Sequence, residues 1–149
     1  MSFVLGIDTS NYTTSCALLD TADMRVRSCK KLLPVKQGER GLRQSDAVFH
    51  HTKQLPELMK QLFDKRYDLS AVGYSYAPRC AEGSYMPCFL VGENVAQAVS
   101  LACGADLEKT SHQLGHILAA LYSCGKLDML SSDTVSYTHL RAHETSAHL

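Results

Sequence analysis

Phe3-Val4-Leu5-Gly6-Ile7-Asp8-Thr9-Ser10-Asn11-Tyr12-Thr13-Thr14-Ser15-Cys16-Ala17-Leu18-Leu19-Asp20 is the stretch that decides the fold. Phe3–Asp8 reads as a buried strand and Thr14–Asp20 as a second, with the polar residues Thr9–Thr13 turning the chain between them. Thr21-Ala22-Asp23 makes another short turn, and a third strand, Met24–Leu33, stops before Pro34. Three strands joined by turns this short make an antiparallel meander.

Beyond the meander the pattern changes period. After a loop at Gly38–Gly41, apolar residues recur at helical spacing from about Gln44 to Lys65: Val48, Leu55, Leu58, Met59, Leu62 and Phe63. Pro56 lies inside that pattern and predicts a kink or a restart. A short strand, Ala71–Tyr76, leads to a loop built on Pro78 and Gly83. A second helix spans Val91–Cys103, with Val91, Val95, Ala98, Val99 and Ala102 as its apolar face and Gly104 as its C-cap. Leu107–Thr110 can form one more strand, and Ser111 can cap a last helix that ends near Gly125. The order β-β-β-α-β-α-β-α predicts an α/β fold: the meander extended by parallel strands into a mixed sheet, with helices packed on it.

The bulk numbers narrow the class. A chain of 149 residues suits one domain with a real core. Its formal net charge is zero, which makes the whole chain no electrostatic magnet for nucleic acid or membrane. The six cysteines show no C-x-x-C pair or zinc-finger spacing, and those in predicted strands and helices read as small hydrophobes. Met1-Ser2 runs straight into strand-like residues, so no signal peptide is expected, and no apolar run is long enough for a membrane span. These features together predict a cytoplasmic protein with reduced thiols. Two regions are expected, a lobe over 1–134 and a tail over 135–149. The tail, Val135-Ser136-Tyr137-Thr138-His139-Leu140-Arg141-Ala142-His143-Glu144-Thr145, matches a reading frame through a common transposase sequencing adapter. It is therefore expected to be non-native, unpacked and without function, including its two histidines.

Two segments carry candidate chemistry. In the first, backbone amides of the turn after Asp8, with the hydroxyls of Thr9, Ser10 and Thr13, can surround a phosphate, and Asp8 can hold a hydrated magnesium ion. The same residues also fit a solvent-facing hairpin in which Asp8 and Asn11 bond their own backbone. In the second, Ser111-His112-Gln113-Leu114-Gly115-His116, His112 and His116 stand one helical turn apart on one face, at about 100° per residue. Leu114, Ile117, Leu118 and Leu121 form a stripe on the opposite face, expected to take the core. The two imidazoles can bind one metal ion from a cleft wall, or simply belong to a polar helix face. The position after His112 is Gln113, not the glutamate that an H-E-x-x-H metalloprotease needs as its base. From Arg25 to Arg43, seven basic residues (Arg25, Arg27, Lys30, Lys31, Lys36, Arg40, Arg43) face one acid, Glu39, which fits either a nucleic-acid backbone contact or a solvated outer strand. His50-His51 is expected near the polar side of its helix.

Taken in order, Gly6-Ile7-Asp8-Thr9-Ser10, the Leu55-to-Leu62 helix, Tyr76-Ala77-Pro78 with Gly83, Leu90-Val91-Gly92, and Ser111-His112-Gln113-Leu114-Gly115-His116 resemble the tRNA threonylcarbamoyladenosine synthase family, long mislabelled as O-sialoglycoprotein endopeptidase. The resemblance covers Val4 to about Ser123. It implies an actin/hexokinase-like ATPase superfold, of which this chain would be the N-terminal lobe of a divergent, truncated member. It further implies that His112 and His116 bind one divalent metal of the zinc or iron class, completed by an aspartate from the second lobe. Asp8, Thr9, Ser10 and Asn11 would lie at the nucleotide, with magnesium where a nucleotide brings it. The implied ligand is threonylcarbamoyl-adenylate or an ATP-like molecule, the acceptor is an adenosine of tRNA, and partner subunits of a tRNA-modification complex are implied too.

The chain departs from the family where acidic residues usually follow the first strand: Tyr12 and Thr13 stand there. Fewer groups are then left to position the acceptor amine or take its proton. With the second lobe absent, the chain as written is expected to be inactive. A non-catalytic paralogue or scaffold subunit, and a small-molecule kinase of the same superfold, are the alternative readings.

Overall fold

The computed structural model describes residues 2–10, 12–34, 43–79, 83, 86–123 and 125. Asn11, Lys36, the Gly38–Gly41 loop, Arg40, Cys80, Cys124 and the 135–149 tail lie outside the described residues, as do the side chains of Ile117, Ala120 and Leu121. The strands are β1 (Phe3–Ser10), β2 (Thr13–Asp20), β3 (Val26–Leu32), β4 (Leu69–Ala77) and β5 (Asp106–Ser111). Three helices alternate with the later strands: α1 (Gln44–Leu62), α2 (Phe89–Cys103) and α3 (His112–Ser123). The sheet runs β3-β2-β1-β4-β5. β1–β2 and β2–β3 pair antiparallel, while β1–β4 and β4–β5 pair parallel. The predicted meander with its parallel extension is therefore the architecture.

Strand alternation sorts the side chains onto two faces. Leu5, Ile7, Cys16, Leu18, Val72 and Tyr74 point to the inner face, where they form one core with Leu55, Leu58 and Leu62 of α1 and Ala96 of α2. α1 packs on β2 and β3, and α2 packs on β4 and β1. α1 runs unbroken through Pro56, so the predicted restart does not occur. The proline ring is exposed, while Leu55 and Leu58 on either side of it anchor the helix in the core.

Three local expectations are corrected. The turn after β1 is tighter than predicted, because Thr9 and Ser10 continue the strand and Ser10 pairs with Thr13. The buried face of α2 is Phe89, Gly92, Ala96 and Ser100, whereas Ala98 and Ala102 are exposed. Small residues win there because a Cβ on Gly92 would come within 3.0 Å of Thr9 Oγ1 and 3.2 Å of Ile7 Cγ2. The leucine stripe of α3 does not take the core in its described part: Leu114 is 38 % exposed, and Leu118 lines an open groove beside the histidines. Gly104 ends α2 in the left-handed conformation, φ 67°, with its N–H on the Ser100 carbonyl, as its position predicts. No helix among the described residues is long and apolar enough to cross a membrane.

Candidate metal and anion cleft

Asp8 is the last outward-facing carboxylate before β1 turns, since its neighbours Ile7 and Thr9 point into the buried side. α3 reaches it because β5 runs parallel to β4 and delivers the chain at that end of the sheet. Ser111 then starts α3, its Oγ accepting the Leu114 N–H at 3.0 Å, the N-cap bond its position predicts. The Gln113 N–H donates to the Pro78 carbonyl at 2.9 Å, so the loop after β4 holds the first turn of α3 in place.

This brings His112 onto Asp8. Nδ1 of His112 lies 2.6 Å from Asp8 Oδ2, and the two side chains are 28 % and 25 % exposed. The other carboxylate oxygen, Oδ1, accepts the Ser10 N–H at 2.9 Å. Burial pushes the Asp8 pKa up. The hydrogen bond from His112 and its charge, with hydrogen bonds from Ser75 and Ser10, outweigh this and hold the carboxyl below its ordinary 3.8. An ionised Asp8 accepts the Nδ1 proton and so aims the Nε2 lone pair of His112 outward. Nε2 of His116 lies 2.7 Å from Nε2 of His112, with ring centroids 4.2 Å apart and planes at 87°.

Two imidazole nitrogens this close share either one proton or one metal ion. With bonds of about 2.0–2.1 Å to zinc at a tetrahedral angle, two such ligands stand about 3.3 Å apart, so the two rings need part by only about 0.6 Å to admit the ion. The pair therefore fits a divalent ion, and Asp8 fits the carboxylate that orients a ligating histidine. Among the described residues no group of three or more His, Cys, Asp or Glu forms a fuller ligand set.

The histidines open onto a cavity of about 1130 Å³, lined also by Asp8, Ser10, Thr13, Lys30 and Phe89. Ser10 lines it. Thr9 does not. It is 0 % exposed, its hydroxyl donating to the Cys88 carbonyl at 2.9 Å and accepting the Gly92 N–H at 3.1 Å. That hydroxyl joins α2 to β1, and its burial shuts it off from the cavity. Asn11 lies outside the described residues.

A second correction concerns His51, expected at the surface or cleft edge and in fact 0 % exposed behind the turn. Thr14 donates to Gln54 Oε1 at 3.0 Å, so Nδ1–H of His51, 2.7 Å away, donates to Thr14. His51 Nε2 is buried without a hydrogen-bond partner. Burial lowers its pKa from 6.5, against the upward pull of the Ser10 carbonyl and Asp8. An alternating pattern cannot show this polar cluster, because Thr14, His51 and Gln54 become partners only when α1 packs on β2. Burial also raises Cys16 to about 12, with help from Cys29, and Cys88 to about 11. Burial, at 2 % and 0 % exposure, favours the neutral thiol at both.

No family model matches the chain. A tRNA N6-adenosine threonylcarbamoyltransferase of Pyrobaculum calidifontis is 27 % identical to it over 131 residues, covering 85 % of this chain and 37 % of that protein. A probable bifunctional tRNA threonylcarbamoyladenosine biosynthesis protein of Thermoplasma acidophilum is 26 % identical over 129 residues, covering 84 % and 23 %. The chain thus spans under two fifths of the length of these curated relatives. Among solved structures, YeaZ from Pseudomonas aeruginosa superposes with a TM-score of 0.56 at 22 % identity, over 84 % of this chain and 51 % of that one. Over this span the chain shares the fold of YeaZ, and in sequence it is similar to tRNA threonylcarbamoyltransferases.

Proposed function

We propose that the chain is one lobe of a metal-dependent threonylcarbamoyl transferase acting on an adenosine of tRNA, in which His112 and His116 hold a divalent ion of the zinc or iron class. The observation that carries this reading is the convergence of the two Nε2 atoms at 2.7 Å with Asp8 behind His112. A divalent ion held there supplies Lewis acidity toward carbonyl and phosphate oxygens. Asp8 fixes the His112 tautomer. Ser10 and Thr13 present hydroxyls to a phosphate, and Phe89 and Pro78 give the cavity an apolar wall. A third ligand and the rest of the nucleotide pocket belong, in this reading, to a second lobe that this chain does not supply, so the chain alone turns over no substrate.

The test is metal content by mass spectrometry, together with tRNA modification when threonylcarbamoyl-adenylate is supplied. The chain is compared with a version extended by its genomic reading frame. Stoichiometric metal in both and turnover only in the longer protein is the expected result. Equal turnover would overthrow the two-lobe argument, and the absence of metal from both would remove the histidine site. The scaffold reading is favoured by one feature, Tyr12 and Thr13 at positions where acids are usual in the family. It predicts metal and nucleotide binding without tRNA modification. Substrate-dependent ATP hydrolysis would instead mark a kinase.

A further inference from the structure

The structure sorts the basic run between Arg25 and Arg43 by what each side chain meets. Arg25 Nε lies 3.5 Å from Asp23. Arg27 donates to the Leu62 carbonyl at 2.7 Å and lies 3.4 Å from Asp64. Lys31 lies 3.8 Å from Glu57 of α1. Arg43 stands at the start of α1, away from the cleft lining. Lys30 alone of these five lines both the large cavity and the groove under α3, and it has no ion pair among the described residues.

Register explains why. Lys30 pairs with Ser15, and Ser15 pairs with Asp8, so the three form one row across β3, β2 and β1 on the outer face. At about 4.8 Å per strand, the Lys30 backbone stands about 10 Å from that of Asp8, with the Ser15 hydroxyl between them. Asp8 does not draw the ammonium in, because Oδ2 is taken by His112 and Oδ1 by the Ser10 N–H.

We propose that Lys30 is an oxyanion-binding residue of the cleft, taking a phosphate or carboxylate of the ligand whose other end lies at His112 and His116. This rests on the reading of the cleft as a substrate site. Lys30 brings a positive charge to a wall whose carboxylate is already engaged, and Ser10, Thr13 and Ser15 line the same cavity. An ammonium among hydroxyl donors complements an anion, whereas a neutral base or sugar gains little from it. The competing account is that a lysine on β3, an edge strand, merely guards against strand addition.

Calorimetric titration with AMP, N-carbamoyl-L-threonine and uncharged adenosine separates these accounts, using the protein extended by its genomic reading frame as wild type, Lys30→Met, Lys30→Arg and the control Arg25→Met. Lys30→Met should weaken anion binding about tenfold and leave adenosine unchanged. The loss should shrink as salt is raised. Lys30→Arg should restore most of the affinity, and Arg25→Met should change nothing. A loss confined to AMP assigns the phosphate, and one confined to N-carbamoyl-threonine assigns the carboxylate. Unchanged affinity of Lys30→Met for both anions, with or without new aggregation, overturns the proposal and leaves the cleft reading standing. Failure of the extended wild-type protein to bind any of the three overturns both.

Discussion

On the inner face of the sheet, α1 and α2 bury Ile7, Cys16, Leu18 and Val72, and even the polar Thr9 and Thr14 there are spent on contacts within the chain. One residue along each strand, the outer face carries Asp8, Ser15 and Lys30 beside α3, and it stays open to a groove and a cavity. The same backbone builds both, since alternate side chains go to opposite sides. Apolar area buried on the inner face stabilises the lobe by about 25 cal/mol per Å². That stability leaves the outer face free to hold groups whose value lies in what they bind. Variants on the inner face should therefore move stability and spare binding, and variants on the outer face should do the reverse.

The largest expected effect is on the outer face. His112→Ala should remove most bound divalent metal while circular dichroism and Tm stay near wild type, because the ring stands in the open cleft and meets the core only edge-on, at Phe89. A large fall in Tm with metal retained would break the division between the faces. Next comes Asp8→Asn. Losing the carboxylate that orients His112 should weaken metal affinity about 10–100-fold, with both histidines still in place. An unchanged affinity in a competition titration with a chelating dye would show that Asp8 does not act through His112.

The inner face gives smaller numbers and a different readout. Gly92→Ala puts a methyl group 3.0 Å from Thr9 Oγ1, which cannot retreat because it is fully buried and bonded to Cys88 and Gly92. A destabilisation of about 1 kcal/mol is expected in urea unfolding, after the helix-propensity gain is set against the overlap, with metal binding intact. A stabilised variant would mean that α2 is not seated against β1 as tightly as described.

The smallest effect is a change of slope. His51 is buried with its pKa lowered from 6.5. As pH falls below that value, the unfolded chain binds a proton that the folded chain takes up less readily. Stability therefore drops from there down through the lowered folded pKa. His51→Gln should flatten the dependence of Tm on pH over roughly pH 7 to 5. An unchanged slope would sharpen the comparison differently, by assigning the acid sensitivity to the outer-face histidines.

Much of this molecule is written in local pattern. Alternation from Phe3 to Leu33 specifies three paired strands, because short turns leave an antiparallel ladder as the way to satisfy the backbone. Gly104 and Ser111 mark helix ends through backbone conformation and capping, and the His112/His116 spacing puts two imidazoles on one face by helix geometry alone. Those effects act within a few residues, so a sequence shows them directly. The register that lines Lys30 up with Ser15 and Asp8, the burial of His51 against Thr14, and the seating of Gly92 on Thr9 depend on contacts between residues 7 to 83 positions apart. The same holds for Asp8 behind His112, 104 positions on. Such contacts are chosen by how whole elements pack, and Thr9 is the clearest case: the sequence offers its hydroxyl to a phosphate, and the tertiary structure gives it to α2, where burial leaves no room for both.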